Sequence, residues 1–175
     1  SFLLPLLLRL TSEALTWEPQ KSAEHWWTEA GSRFRPVRGK ESRCAAVRGL
    51  VLYPTNALVE DQMTRLRRAV RKIGQELPHR PLWFGRFTGM TLGSTNGPKA
   101  GEPTEEVRAD LVAQTEEFAA LLGAVSEGDL AQFPDPREHE LLTRWDMVAT
   151  PPDILVTNYS MMNALLMRHQ EATLF

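Results

Sequence analysis

A chain of 175 residues is long enough for one domain with a substantial core. Its 42% hydrophobic and 24% charged residues exclude a disordered chain, and a formal net charge of −2 removes overall basicity as an argument for nucleic-acid binding, so any such surface has to be local. The single cysteine, Cys44, excludes an internal disulfide and fits a reducing compartment; a cytoplasmic location is expected, and the scattered His25, His79, His139 and His169 lack the spacing of a metal site.

In chain order, residues 2–10 read as a buried helix, with Pro5 tolerable only in its first turn. This apolar stretch has neither the basic segment nor the cleavage site of a signal peptide and is too short to span a bilayer, so no membrane association is expected. Because it starts without a methionine, and because Ala172–Phe175 stops without a cap or polar close, the expectation is a fragment cut at both ends. Residues 11–47 mix Trp17, Trp26 and Trp27 with charges and with the basic residues Arg33, Arg35, Arg38, Lys40 and Arg43, which reads as a helix plus an irregular loop.

Residues 48–53 read as a strand whose apolar run begins at Gly49, the pattern of a strand buried on both faces of a parallel sheet. The period of Leu58, Val59, Met63, Leu66, Ala69, Val70 and Ile73 predicts a helix over 56–74, capped by Thr55 or Asn56 and stopped at Gly74. Its opposite face carries Arg65, Arg67, Arg68, Arg71 and Lys72, which reads as a solvated face rather than a binding surface.

A second strand is expected over 82–87, ending at Thr88-Gly89, and a Gly-, Pro-, Ser- and Thr-rich flexible loop over 90–103. An acidic helix follows over 104–122, with Val107, Leu111, Ala119 and Leu122 on its apolar side, then a loop over 123–137 and a short helix over 138–147. A third strand spans 153–157, and Ser160 caps a last helix containing Met161, Met162, Leu165 and Leu166. Strands alternating with helices give an α/β fold, a doubly wound parallel sheet.

Both the first and third strands stop abruptly at small polar residues, Pro54-Thr55-Asn56 and Thr157-Asn158, before a helix begins. Such residues sit at the carboxyl ends of strands, where open α/β sheets bind ligands. Taken singly, each is also an ordinary turn and helix cap, and Thr88-Gly89 alone reads as a loop. Trp26-Trp27 reads as packing or a partner surface rather than a base-stacking platform, and Glu138-His139-Glu140 as surface charge.

Taken together, Tyr53-Pro54-Thr55-Asn56-Ala57-Leu58 with Asp61-Gln62 resembles motif Ia of superfamily 2 helicases, and Asp153-Ile154-Leu155-Val156-Thr157-Asn158 resembles motif Ib in its Thr-Asn version. Thr88-Gly89 stands where these proteins carry another backbone-binding turn, and residues 2–7 fit the helix after their phosphate-binding loop. The chain thus resembles the first RecA-like domain of a DEAD/DEAH-box helicase, a P-loop NTPase-type fold, between motifs I and II. Residues 11–47 and 90–137 are the least typical; an inserted region at about 90–150 is similar to that of large bacterial helicases of DNA repair or phage defence.

The resemblance implies an ATP-dependent helicase or translocase whose backbone-binding residues are Pro54, Thr55, Asn56, Thr88, Gly89, Thr157 and Asn158. Its implied partners are single-stranded or duplex DNA, or RNA, together with a second RecA-like domain. ATP and Mg²⁺ would serve the complete protein. No Gly-x-x-x-x-Gly-Lys-Ser/Thr and no Asp-Glu-x-His or Asp-Glu-x-Asp box occurs in this chain, so it is expected to bind no cofactor alone, to be inactive alone and to supply no catalytic residue. Two alternatives stand beside this: a non-catalytic helicase-like interaction module that binds through Trp26, Trp27 and residues 90–137, and an unrelated Rossmann-type enzyme, which lacks its Gly-x-Gly-x-x-Gly here.

Overall fold

The computed structural model describes residues 3–20, 23–31, 33–38, 41–94, 104–167 and 174. Of the loop read over 90–103, residues 95–103 lie outside the described residues, as do Lys40 and His169. The strands are β1 (Gly49–Tyr53), β2 (Phe84–Phe87), β3 (Glu140–Leu141) and β4 (Ile154–Asn158). The helices are α1 (Leu3–Ala14), α2 (Asn56–Glu76), α3 (Glu105–Leu121), α4 (Glu127–Leu130), α5 (Arg144–Ala149) and α6 (Tyr159–Met167), with a 3-10 turn at Trp26–Thr28.

All strand pairings are parallel, in the order β1-β4-β2-β3, and both faces are covered at β4 and β2. The alternation of side chains along β4 divides the core in two. Ile154 and Val156 pack with Val51 and Phe84 against α1 and α2, through Leu7, Leu10, Met63, Leu66 and Val70. Leu155 faces the other way, toward Trp26, Trp27, Leu111, Trp145, Met147 and Leu165. The predicted doubly wound α/β fold is therefore the observed one. At Gly85 a Cβ would come within 2.6 Å of Met147 Sδ, so the missing side chain sets how closely α5 can approach β2.

Asp153, fully buried just before β4, gathers three guanidinium groups. Its Oδ1 accepts from Arg38 at 3.1 Å and from Arg48 at 2.9 Å; its Oδ2 accepts from Arg43 at 2.8 Å and from Trp83 N at 2.9 Å. Glu41 and Glu13 complete the pairing. Of the residues that read as a basic segment, Arg38 and Arg43 are thus turned inward and neutralised, because a buried carboxylate survives only if it is paired, whereas Arg33 and Arg35 are exposed.

Several sequence expectations are corrected. β1 is an edge strand: Leu50 and Leu52 are 43% and 36% exposed, since nothing among the described residues covers their face. α1 buries only Leu3, Leu7, Leu10 and Ala14, and leaves Leu4 and Leu8 in solvent. α2 runs past Gly74 to Glu76 because packing of its apolar face outweighs one glycine; on that face, Leu58 is exposed. Arg67, assigned to the solvated face, is buried against Glu140.

Phe118, rather than Ala119 or Leu122, joins Leu111 as the buried residue of α3, and α4 interrupts the loop read over 123–137. The helix expected over 138–147 is instead a fourth short strand, β3, followed by α5. Trp26 and Trp27 are each 2% exposed and belong to the core, so they offer no partner surface. No helix among the described residues is long and apolar enough to cross a membrane.

Candidate functional site

The register of the sheet decides where the candidate residues lie. Tyr53 pairs with Asn158 and Phe87 with Thr157, so β1, β4 and β2 finish level with one another. The loops that follow them, distant in sequence, therefore meet along one edge.

After β1, Pro54 leads to Thr55 at the N-cap of α2, extended at φ −134° and ψ 158°. The Thr55 side chain makes no capping bond, and both Thr55 and Asn56 are exposed. α2 thus presents a 21-residue helix N-terminus whose amide groups are not satisfied by the cap side chain. The start of α2 is steadied from below by Tyr53, whose hydroxyl donates to Gln62 Oε1 at 2.7 Å.

After β4, Asn158 is used twice. Its Oδ1 accepts from Met161 N at 2.7 Å, and its Nδ2 donates to Asn56 Oδ1 at 2.5 Å. Asn158, not Ser160, is therefore the side chain that caps α6, and it also ties that helix start to the start of α2. Ser160 is left exposed.

After β2, the chain turns tightly through Thr88 to Thr91. Thr91 N donates to Thr88 O at 3.2 Å, Thr88 N to Thr91 Oγ1 at 2.9 Å, and Thr91 Oγ1 to Arg86 O at 2.6 Å. Gly89 is exposed at the outside of this turn.

Pro54, Thr55, Asn56, Gly89 and Asn158 come together, with Ser160 and Met161, around one open cleft of about 420 Å³. Thr88 and Thr157 lie beneath it: they are 1% and 0% exposed, and Thr157 Oγ1 donates to Phe87 O at 2.6 Å. Their hydroxyls serve the scaffold, so they can act on a ligand only by holding the loops above them. Nothing that lines the cleft is ionisable, so the arrangement can hydrogen-bond a ligand but cannot move a proton or attack one. Nor do these residues fit a nucleotide with its metal: the lining has no lysine and no carboxylate, and no cluster of His, Cys, Asp or Glu among the described residues is placed to hold a metal ion.

At the opposite, amino-terminal edge of the sheet lies a second cavity of about 360 Å³, whose lining includes His25, Glu41, Trp83, Arg137 and His139. Burial, with the neighbouring His25, lowers His139 to about 4; burial likewise lowers His25, whose Nε2 lies 2.9 Å from Arg137 O. Both imidazoles are neutral at pH 7, and their cavity is separate from the cleft.

The sequence reading missed Arg144. Its Nη2 donates to Thr88 O at 2.8 Å and its backbone N to Leu92 O at 2.9 Å, which brings a residue from the far side of β3 to the edge of the cleft. A Thr143-x-x-Asp146 capping pair marks the start of its helix, with Thr143 Oγ1 accepting from Asp146 N at 3.0 Å, but carries no sign of the contact with Thr88.

No family model matches the chain, and no solved structure gives a significant match. A curated relative is Druantia protein DruE of Escherichia coli (strain UMEA 4076-1), to which this chain is 27% identical over 184 aligned residues, covering 79% of the chain. The chain spans about 10% of the length of that relative.

Proposed function

We propose that this chain is part of an ATP-dependent nucleic-acid helicase or translocase and that the cleft holds the sugar–phosphate backbone of a strand. The observation that carries the reading is the convergence of Pro54, Thr55, Asn56, Gly89 and Asn158, from three separate loops, on one cleft at the carboxyl edge of a parallel sheet. A protein that moves along a strand must hold it without reading bases, and phosphates serve that purpose. Hydroxyls, side-chain amides and the N-terminus of a long helix donate to an anion without any large positive field, in keeping with the net charge of −2.

The distant similarity to DruE and the doubly wound fold support this reading. ATP and Mg²⁺ would be bound by other parts of the protein, which include a second RecA-like domain. DNA is the favoured strand, single or duplex, with RNA as the other candidate. The burial of Trp26 and Trp27 weighs against the interaction-module alternative.

The test is a T55A/S160A double variant of the intact protein. Both residues are exposed, so the fold is left alone. Loss of two hydroxyl donors to phosphate, at about 1 kcal/mol each, weakens binding of a fluorescent single-stranded oligonucleotide by about tenfold or more. Unchanged affinity would overturn the reading.

A further inference from the structure

We infer that Arg144 is a positioning residue for the cleft: it sets the direction in which the backbone N–H of Gly89 is offered to a bound strand. This rests on the strand-binding reading above.

The inference follows from the rigidity of the peptide unit. Thr88 O and the Gly89 N–H belong to one plane and point in opposite directions. Arg144 Nη2 donates to Thr88 O at 2.8 Å, so the plane is held with its carbonyl toward the guanidinium and its N–H directed away. Glycine on one side of that plane would otherwise let it rotate easily. Thr91 N also donates to Thr88 O, but at 3.2 Å and from within the same turn, which can move as a unit.

Arg144 itself is fixed from several sides. Its backbone N donates to Leu92 O at 2.9 Å, and Leu92 forms a parallel bridge with Thr143. Thr143, fully buried, donates to Asp146 Oδ2 at 2.7 Å, and Asp146 Oδ1 accepts from Val37 N at 3.1 Å. The guanidinium carbon lies 5.6 Å from the centre of the Phe87 ring, immediately before the turn. A chain of contacts thus runs from the buried start of α5 to the one backbone turn that β2 contributes to the cleft. The inserted region at about 90–150 supplies this support from within.

The experiment compares R144A and R144Q with T55A/S160A, all in the intact protein. The readouts are binding of a fluorescein-labelled oligothymidylate across a salt series and amide hydrogen exchange of residues 88–92 without the oligonucleotide. The expected result for R144A is about tenfold weaker binding, an unchanged slope of log affinity against log salt, and faster exchange at Gly89. R144Q, shorter and uncharged, gives the same pattern and carries the test if R144A does not fold.

A slope shallower by about 0.7 would mean a direct phosphate contact and would overturn the positioning role. Unchanged binding by both Arg144 variants, with T55A/S160A weakened, would overturn it while sparing the strand-binding reading. Unchanged binding by T55A/S160A removes that reading first.

Discussion

Asn158 Nδ2 donates to Asn56 Oδ1 at 2.5 Å, joining two loops 102 positions apart, while the other end of the same amide caps α6 through Met161 N at 2.7 Å. One side chain therefore sets the spacing between two helix starts that flank the cleft. An amide suits both tasks, since it carries a donor and an acceptor on two separate atoms of one short stem.

Replacing Asn158 with aspartate separates the two tasks. A carboxylate still accepts from Met161 N but cannot donate to Asn56, and it places a negative charge beside the proposed path of the phosphates. N158D is expected to keep its melting temperature within a few degrees and to lose strand affinity by at least about tenfold, whereas N158A loses the cap and about 1 kcal/mol of stability. Thermal melts and oligonucleotide titrations of the two variants check this, and equal affinities for N158D and the unaltered protein would refute it.

Arg67 and Glu140 form a two-pronged buried pair, with Nε to Oε2 at 2.7 Å and Nη2 to Oε1 at 2.8 Å. Removing one partner strands a buried charge, so R67M or E140M alone should cost roughly 3–5 kcal/mol. The double substitution should recover most of that loss. A double-mutant cycle by urea denaturation measures it, and additive costs would show that the pair does not act as a unit.

Acid stability depends on two groups that oppose each other, the half-buried His139 and the buried Asp146. Burial, with the nearby His25, lowers His139 to about 4 from its ordinary 6.5, so the folded state stays unprotonated where the unfolded chain takes up a proton; stability present above 6.5 is lost as pH falls toward 4. Burial raises Asp146 to about 6 from 3.8, which works in reverse: the folded state binds the proton first, so stability is gained on acidification from 6 and lost again as pH rises through that value. H139Q removes only the first effect. Between about pH 7 and pH 4.5 it should lose roughly 2–3 kcal/mol less stability than the unaltered protein, read from urea midpoints at the two pH values. Parallel losses in both proteins would rule out His139 as the source.

The strands and their order along the chain were legible because β1, β2 and β4 are short apolar runs that stop at turn residues, and α2 because its apolar residues recur at the helical period. The helix expected over 138–147 fails because β3 is two residues long, too short for a period, while the Thr143-x-x-Asp146 cap that marks the true start of α5 lies inside the span assigned to a helix. Arg67 lies on the polar stripe of α2 by sequence; only the arrival of Glu140 from β3 makes that position interior.

At the cleft, the sequence located the loops but not which hydroxyls face outward. Thr157 has the parity of Leu155 along β4 and so turns into the core, a distinction that alternation along the strand carries but that a motif match does not. Arg144 was out of reach, since its role depends on Leu92 and Thr143 meeting across 51 positions of chain.

The outer border of β1 carries its own consequence. Among the described residues this strand pairs with β4 alone, so its other border, beside the bare side chains of Leu50 and Leu52, faces no further strand. It has no lysine, proline or bulge to discourage stacking, the devices by which natural sheets keep strangers from adding on. When this polypeptide is prepared by itself, its shelf life in solution will be governed by those five residues rather than by the well-packed interior.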